Sequence, residues 1–360
     1  MENLAVSNTF WHGKKVFITG HTGFKGSWLS LCLQSLGAEV TGLSLLPPTQ
    51  PSLFEAAKVA NGMNSLIGDI CEPNIIFSAL KNSEAEIVIH MAAQSLVRRS
   101  YINPVETYAT NVMGTVNVLD AVRHCTTVRA VVNVTSDKCY DNKESPEPFI
   151  ESDPMGGYDP YSNSKGCAEL VASAFANSYF NKRNYADHGV ALASARAGNV
   201  IGGGDWAEDR LLPDIFRAID HSRPVVVRNP NAIRPWQHVL EPLSGYLLLA
   251  ENLFVHGSKH TGGWNFGSAD QDAKEVGWIV EKICRQWGKG ASWLLDEGEH
   301  PHESSLLRLS SKKASTLLNW HPRWDLNVAI ENTVAWQQAY WQGDNMHIFS
   351  LNQIANFRKL

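Results

Sequence analysis

Five residues of this 360-residue chain have the types and spacing to move protons and a hydride. Tyr161 and Lys165 stand four apart behind Asp159-Pro160, which reads as a helix N-cap followed by proline at the first helical position, so phenol and amine share one helical face. Ser136, Asp137 and Lys138 follow an apolar run, Ala130 to Val134, whose β-branched residues predict a buried strand ending in polar groups. A phenol beside an ammonium, opposite a hydroxyl, an acid and a second amine, can take a proton from a hydroxyl group while hydride leaves the same carbon. A phenol ionises near pH 10 in water, and both the lysine and a cationic nicotinamide favour the phenolate, each tenfold gain in acidity being worth about 1.4 kcal/mol.

The elements that must position this set are legible upstream. Lys15 to Thr19 predicts a strand that runs straight into Gly20-His-Thr22-Gly23-Phe24-Lys25-Gly26, and Ser27 to Leu36 repeats apolar residues at helical spacing. A phosphate pair can approach the N–H groups of a helix N-terminus only past residues without side chains, and the helix dipole favours its charge. Glycines three apart point to the short-chain variant of the dinucleotide fold. Glu39 to Leu43 is the second strand. At its end, where an acid would grip the ribose of NAD, stand Ser44 and Leu45, and no arginine nearby favours NADP. A stiff loop, Leu46 to Pro51, could fold over the adenosine. A third strand, Ser65 to Ile67, leads to Asp69-Ile70, placed to hydrogen-bond and sandwich adenine. A fourth, Glu86 to His90, delivers Met91-Ala92-Ala93-Gln94, small residues against which a flat ring could lie.

Pro104 to Arg123 reads as one long helix, apolar on more than one side. The alternation of strand and helix through Arg196 predicts an α/β fold, a Rossmann-type doubly wound parallel sheet over residues 14–196. Past Arg196 the rhythm breaks into glycine-rich loops and short helices, which predicts a smaller carboxyl-terminal substrate domain over 197–350, with later segments free to return to the sheet. Its scattered arginines suit a diphosphate, since guanidinium forks bind phosphate oxygens in pairs.

Bulk properties exclude several classes. A formal net charge of -5 and pI ≈ 6.2 carry no basic excess for nucleic acid. No apolar run reaches the roughly 20 residues that cross a bilayer, and Met1 to Gly13 lacks the basic flank and apolar stretch of a signal peptide. The six cysteines form no Cys-x-x-Cys pair and read as reduced thiols of a cytoplasmic protein. His300, His302 and Glu303 lack distant matching ligands, so no metal is expected. Twelve tryptophans, with Trp320, Trp336 and Trp341 late in the chain, predict a packed carboxyl region.

Thr19 to Gly26, Ser136, Tyr161 and Lys165 resemble the extended short-chain dehydrogenase/reductase family over roughly residues 14 to 340. Within it, Val134-Thr135-Ser136-Asp137-Lys138-Cys139-Tyr140 is similar to the signature of the nucleotide-sugar 4,6-dehydratases. Most members carry Thr-Asp-Glu where this chain has Ser136-Asp137-Lys138. The lysine, with Phe24-Lys25-Gly26-Ser27-Trp28 and the loop Leu46 to Phe54, is similar to the branch acting on CDP-glucose. That resemblance implies NAD as cofactor, held by Gly20, Thr22, Gly23, Phe24, Lys25, Gly26, Ser44, Asp69, Ile70, Met91, Ala92, Ala93, Thr135, Tyr161 and Lys165. It implies that Tyr161 takes the proton of the sugar 4-hydroxyl as hydride leaves C4, with Ser136 donating to the developing ketone and Lys165 holding the ribose. Lys138 then removes the C5 hydrogen, Asp137 protonates the departing 6-hydroxyl, and hydride returns to C6. For that step both must be uncharged; alternatively Lys138 pairs with Asp137 and another group is the base.

The same resemblance implies that Asn199, Arg210, Arg234 and Asn265 hold the diphosphate and nucleotide, Gln94 the hexose, and His302 a further contact. It implies a homodimer, or a tetramer, through a four-helix interface built from Pro104–Arg123 and Pro160–Tyr179, and a place early in making deoxysugars of surface polysaccharide such as O-antigen. Rival readings are a nucleotide-sugar 4-epimerase, which shares the Tyr/Lys pair but needs no acid and base after the serine, a simple dehydrogenase, and a catalytically silent NAD-binding scaffold.

Overall fold

The computed structural model describes residues 7–143, 147–288, 290–296, 298 and 307–359. Six strands arrive in chain order, β1 (Lys15–Thr19), β2 (Glu39–Ser44), β3 (Asn64–Ile67), β4 (Ile87–His90), β5 (Ala130–Val134) and β6 (Ala191–Ala197). Short strands β7 (Val200–Ile201), β8 (Val225–Val227), β9 (Ile233–Pro235) and β10 (Gln237–His238) follow, then β11 (Gly262–Phe266), β12 (Ala273–Glu275) and β13 (Trp293–Leu295). The main sheet has the order β11-β6-β5-β4-β1-β2-β3. Every pairing in it is parallel. The chain runs outward from β1 to β3 and then crosses to β4 on the other side of β1, so the order reverses between β1 and β4. A crevice opens at such a reversal, beyond the carboxyl ends of the strands, and ligands bind there. The glycine loop after β1 and Met91-Ala92-Ala93 after β4 flank it.

A parallel sheet is covered on both faces, and its strands are correspondingly apolar throughout. All residues of β4, β5 and β6 are buried. One face packs against the helices Phe24–Ser35 and Leu240–His256, and the other against Pro73–Ser83, Gly114–Arg123 and Pro160–Ser178. Each fully buried valine of β5 contributes roughly 1.5–3 kcal/mol. Both Leu240–His256 and β11 come from beyond residue 197 yet complete this first core. A second core gathers Ile201, Leu212, Ile215, Ile279, Ile283 and Ile330 around the small strands.

The stretch expected as one helix from Pro104 to Arg123 is interrupted. Pro104–Tyr108 and Gly114–Arg123 are α-helical, and Ala109–Met113 between them makes one π-helical turn. Gly114 permits a close approach there, because a Cβ on it would lie 2.4 Å from Ile70 Cδ1. The wider turn aims Asn111 inward, where its amide meets Gln94 and Ser164.

The carboxyl region is packed, with Trp336 and Trp320 buried and Trp341 partly exposed. Its entry is fixed by Glu241, fully buried, whose carboxylate accepts from Arg323 N at 3.0 Å and Trp324 N at 2.7 Å. Burial nevertheless pushes this acid up to about 7. Among the described residues, no helix is long and apolar enough to cross a membrane. All six cysteines are free thiols.

Candidate active site

The glycine loop owes its shape to two contacts that no side chain could survive. Gly20 has φ +81°, and a Cβ on Gly26 would lie 2.1 Å from the Gly20 carbonyl oxygen. The helix Phe24–Ser35 starts behind Gly23 with no side chain capping it, so its N-terminal N–H groups face the crevice available to an anion. Beneath the loop His21 is buried and held near 4 by burial, hence neutral; Gly42 makes room for its ring. At the end of β2, Ser44 Oγ hydrogen-bonds Thr22 Oγ1 at 2.7 Å, which ties the residue standing in the acid's usual place to the loop itself. Asp69 Oδ1 accepts from Cys71 N at 2.8 Å, fixing the turn that carries Ile70. Met91 N and Ala92 N both donate to Thr19 Oγ1 at 3.1 Å, so the backbone leaving β4 is held flat beside β1, with Ala93 next to it. These residues line the crevice between β1 and β4.

The residues expected to react meet at the carboxyl edge of β5. The helix Pro160–Ser178 begins as its sequence demands, with Asp159 Oδ1 accepting from Ser162 N at 2.9 Å and Tyr161 N donating to Ser100 Oγ at 3.1 Å. Tyr161, Ser136, Asp137 and Lys165 are all buried, and Lys138 is half-buried. Ser136 lies close enough to the Tyr161 phenol to favour its ionised form. Ser136 Oγ also donates to Asp137 Oδ1 at 3.0 Å and accepts from Lys138 N at 3.2 Å, closing one turn of 3-10 helix. Lys165 Nζ donates to Val134 O at 3.4 Å, immediately beneath that turn.

Burial dominates the electrostatics. It pushes Asp137 above the usual carboxylate range, against Lys138, the Ser136 hydrogen bond and Arg234. It lowers Lys165 to about 8. The expectation that Lys165 lowers the phenol is not met by the polypeptide alone, because burial raises Tyr161 to about 12 with only Ser136 and Arg210 opposing. Lys25, in the glycine loop, donates to the hydroxyl of Tyr246 at 3.2 Å. Burial lowers its amine to about 7, helped by Lys165 and Arg210, so it belongs to the same charged cluster.

The remaining expected residues divide. Arg210 reaches the mouth of the crevice, pairing with Asp205 at 2.9 Å and donating to Ser95 Oγ at 3.0 Å. Arg234 on β9 acts on Asp137, and Asn199, half-buried, precedes β7 and accepts at its carbonyl from Gln237 N at 3.2 Å. Asn265 departs from expectation. It is fully buried, its Oδ1 accepting from Tyr140 at 2.7 Å and its Nδ2 donating to Phe149 O at 3.0 Å, so its amide is committed within the fold rather than offered to a nucleotide. Gln94 is likewise engaged, with Nε2 donating to Leu96 O and Thr107 Oγ1 and Oε1 accepting from Leu96 N; it shapes the loop beside the crevice rather than projecting from it. Thr135 directs its hydroxyl to Glu169 Oε1 at 2.5 Å, away from the crevice. His302 lies outside the described residues.

Residues not singled out from sequence complete the site. Glu169 continues the Tyr161 and Lys165 face at the same four-residue step, and Arg196 is a charge inside a strand of small residues; both are visible signals. Tyr246 lies in an apolar helix that gives no such sign.

The family model described as NAD dependent epimerase/dehydratase family matches residues 16–261. The chain belongs to that family. It is also 56% identical over 352 residues to a CDP-glucose 4,6-dehydratase of Salmonella typhimurium, covering 98% of each chain. A dTDP-D-glucose 4,6-dehydratase of Mus musculus is 26% identical, over 90% of this chain and 88% of that one. Among solved structures, a UDP-glucose 4-epimerase from Brucella ovis in complex with NAD has a TM-score of 0.76 at 21% identity, over 90% of this chain and 98% of that one. A dTDP-glucose 4,6-dehydratase from Bacillus anthracis in complex with NAD has a TM-score of 0.74 at 20% identity, over 91% and 98%. The Rossmann-type fold and the extended short-chain dehydrogenase/reductase resemblance are thereby borne out. NAD is the family's cofactor, and the open helix N-terminus with its side-chain-free loop fits it.

Proposed function

We propose that this chain converts CDP-glucose to CDP-4-keto-6-deoxyglucose by NAD-dependent oxidation, loss of water and re-reduction within one site. The observation that carries the reading is the junction of the Ser136-Asp137-Lys138 turn with the Tyr161–Lys165 helix at the carboxyl edge of the sheet, in a chain 56% identical to a CDP-glucose 4,6-dehydratase. A 4-epimerase needs the tyrosine and the serine but has no use for an acid and an amine directly after the serine.

Gly20 to Gly26, Met91, Ala92 and Asp69-Ile70 hold the dinucleotide. When bound, NAD accepts hydride from C4, returns it to C6 and brings a positive charge to the crevice. Tyr161 takes the proton of the 4-hydroxyl, its phenolate favoured by positive charge against the burial that otherwise keeps it protonated. Ser136 donates to the ketone oxygen as it forms, and Lys165 orients the ribose. The ketone acidifies the hydrogen on C5. Lys138 removes it, Asp137, whose carboxyl burial pushes above the usual carboxylate range, supplies the proton with which the 6-hydroxyl leaves as water, and Lys138 returns its proton to C5 as hydride reaches C6. Arg210, Arg234 and Asn199 hold the diphosphate and nucleotide on the side built by residues 197–350.

The exposed apolar side chains of Ile102, Val105, Met113 and Leu170 support a homodimer that pairs the helices of residues 104–123 and 160–178 between protomers. Six free thiols support a cytoplasmic location, and the product suits an early step towards deoxysugars of surface polysaccharide such as O-antigen. The test is to incubate the protein and NAD with glucose activated by cytidine, thymidine, uridine and guanosine diphosphates and follow the sugar by NMR. A new C6 methyl signal from the cytidine sugar is expected. An epimer at C4 with no methyl group would replace this reading by the epimerase.

A further inference from the structure

The Ser136-Asp137-Lys138 turn is gripped at both ends by one buried ion pair. Arg196 and Glu169 face each other with two parallel bonds, Nε to Oε1 and Nη2 to Oε2, each 2.8 Å, and both side chains are buried. On the near side Glu169 accepts from Thr135 Oγ1 at 2.5 Å, and Thr135 N is bonded into the sheet at Ala195 O at 2.9 Å. On the far side Arg196 Nη1 donates to the Tyr140 hydroxyl at 2.7 Å, and that hydroxyl donates onward to Asn265 Oδ1 at 2.7 Å. The Tyr140 ring lies stacked on Phe149, centroids 4.7 Å apart, with the Arg196 guanidinium 5.0 Å from its centroid. Asn265 Nδ2 closes the chain on Phe149 O. Residue 135 is therefore held twice over, by sheet and by side chain, and the far end of the stretch from Asp137 to Cys139 is held by backbone, Gly156 N donating to Cys139 O at 2.8 Å and Tyr140 bridging Met155, together with the Tyr140 side chain.

We propose that Tyr140 is a positioning residue for the water-removing half of the reaction: its hydroxyl, held between Arg196 and Asn265, sets where Asp137 and Lys138 point, while Tyr161 is held by its own helix and by Ser100. The inference rests on the dehydratase reading given above. Because Glu169 sits on the helix of Tyr161 and Lys165, the same ion pair also fixes the register between the oxidising helix and the eliminating turn. Loss of the hydroxyl alone leaves the ring stack and the backbone bonds in place and removes only the side-chain tie to Arg196 and Asn265. A displacement of about an ångström at a reacting group costs on the order of 100-fold in rate.

The test is Tyr140→Phe, with wild-type protein in parallel and CDP-glucose as the probe. Expected are a fall of roughly 10- to 100-fold in kcat with KM within about 3-fold, and, in a single turnover, a build-up of enzyme-bound reduced nicotinamide because oxidation at C4 continues while elimination lags. Asn265→Ala, which removes the acceptor of the Tyr140 hydroxyl, is expected to show the same build-up and carries the test if the first variant fails to fold. A kcat within about 2-fold of wild type, or a loss of rate without reduced nicotinamide accumulating, overturns the inference. Wild-type protein that yields no 6-deoxy product would instead overturn the dehydratase reading, so the two failures are distinguishable.

Discussion

Ser136 Oγ donates to Asp137 Oδ1 at 3.0 Å and leaves the second oxygen of that acid, Oδ2, buried with no hydrogen-bond partner among the described residues. That bare oxygen lies against Gly198, where an added Cβ would come within 3.0 Å of it, and burial raises the acid above the usual carboxylate range. Asp137→Asn keeps the shape and removes the transferable proton. Formation of the 6-deoxy product is expected to fall by about 100- to 10,000-fold, while substrate still reduces bound cofactor. Product NMR and the near-ultraviolet absorbance of reduced nicotinamide, followed together, check this.

Lys138→Ala removes the proposed base. Loss of water is expected to stop, and substrate is expected to leave the cofactor reduced on the enzyme with no C6 methyl signal. Wild-type turnover by this variant would remove Lys138 from the mechanism and favour its alternative role as the ionic partner of Asp137.

Glu241 gives the fold a pH signature. Its folded pKa, about 7, lies above the ordinary glutamate value, so the folded state binds the extra proton and stability falls as pH rises from about 4.5 through 7. The full effect above that window is on the order of 3 kcal/mol. Melting temperature measured from pH 5 to 8 is expected to decline for the wild type and to vary less for Glu241→Gln. Equal slopes for the two proteins would exclude Glu241 as the origin.

Val105 is 81% exposed and Ile102 77%, on the face proposed to pair between protomers. Val105→Asp is expected to shift the protein from dimer to monomer in sedimentation at micromolar concentration, because a carboxylate cannot be left unpaired in such a contact. An unchanged sedimentation coefficient would move the interface elsewhere.

Much of this is legible in the sequence, because glycine turns, proline-started helices and β-branched strands are local signals. Strands β1 to β5, the Pro160–Ser178 helix and the Tyr161, Lys165, Ser136 cluster can be read from residues adjacent in the chain. What cannot be read depends on partners far apart. Asn265 has the type of a polar ligand and is instead a buried acceptor for Tyr140, 125 positions away. Gln94 has the type of a hexose contact and closes its own loop. The π-helical turn at 109–113 is hidden because the contacts beside it, such as Ile70 packed against Gly114, join residues far apart in the chain. The ionisation of Tyr161 runs against the sequence expectation because burial, which has no local sequence signature, outweighs the neighbouring amine.

The place of β11 has a consequence for biosynthesis. It is laid against β6 by residues 262–266, long after β6 itself at 191–197 has left the ribosome. Until then the nascent chain presents an unpaired edge of Ala-Leu-Ala-Ser-Ala-Arg-Ala, an invitation to mispairing between neighbouring polysomal copies. Arg196, the one charge in that edge, pairs in the folded chain with Glu169, a residue synthesised before it.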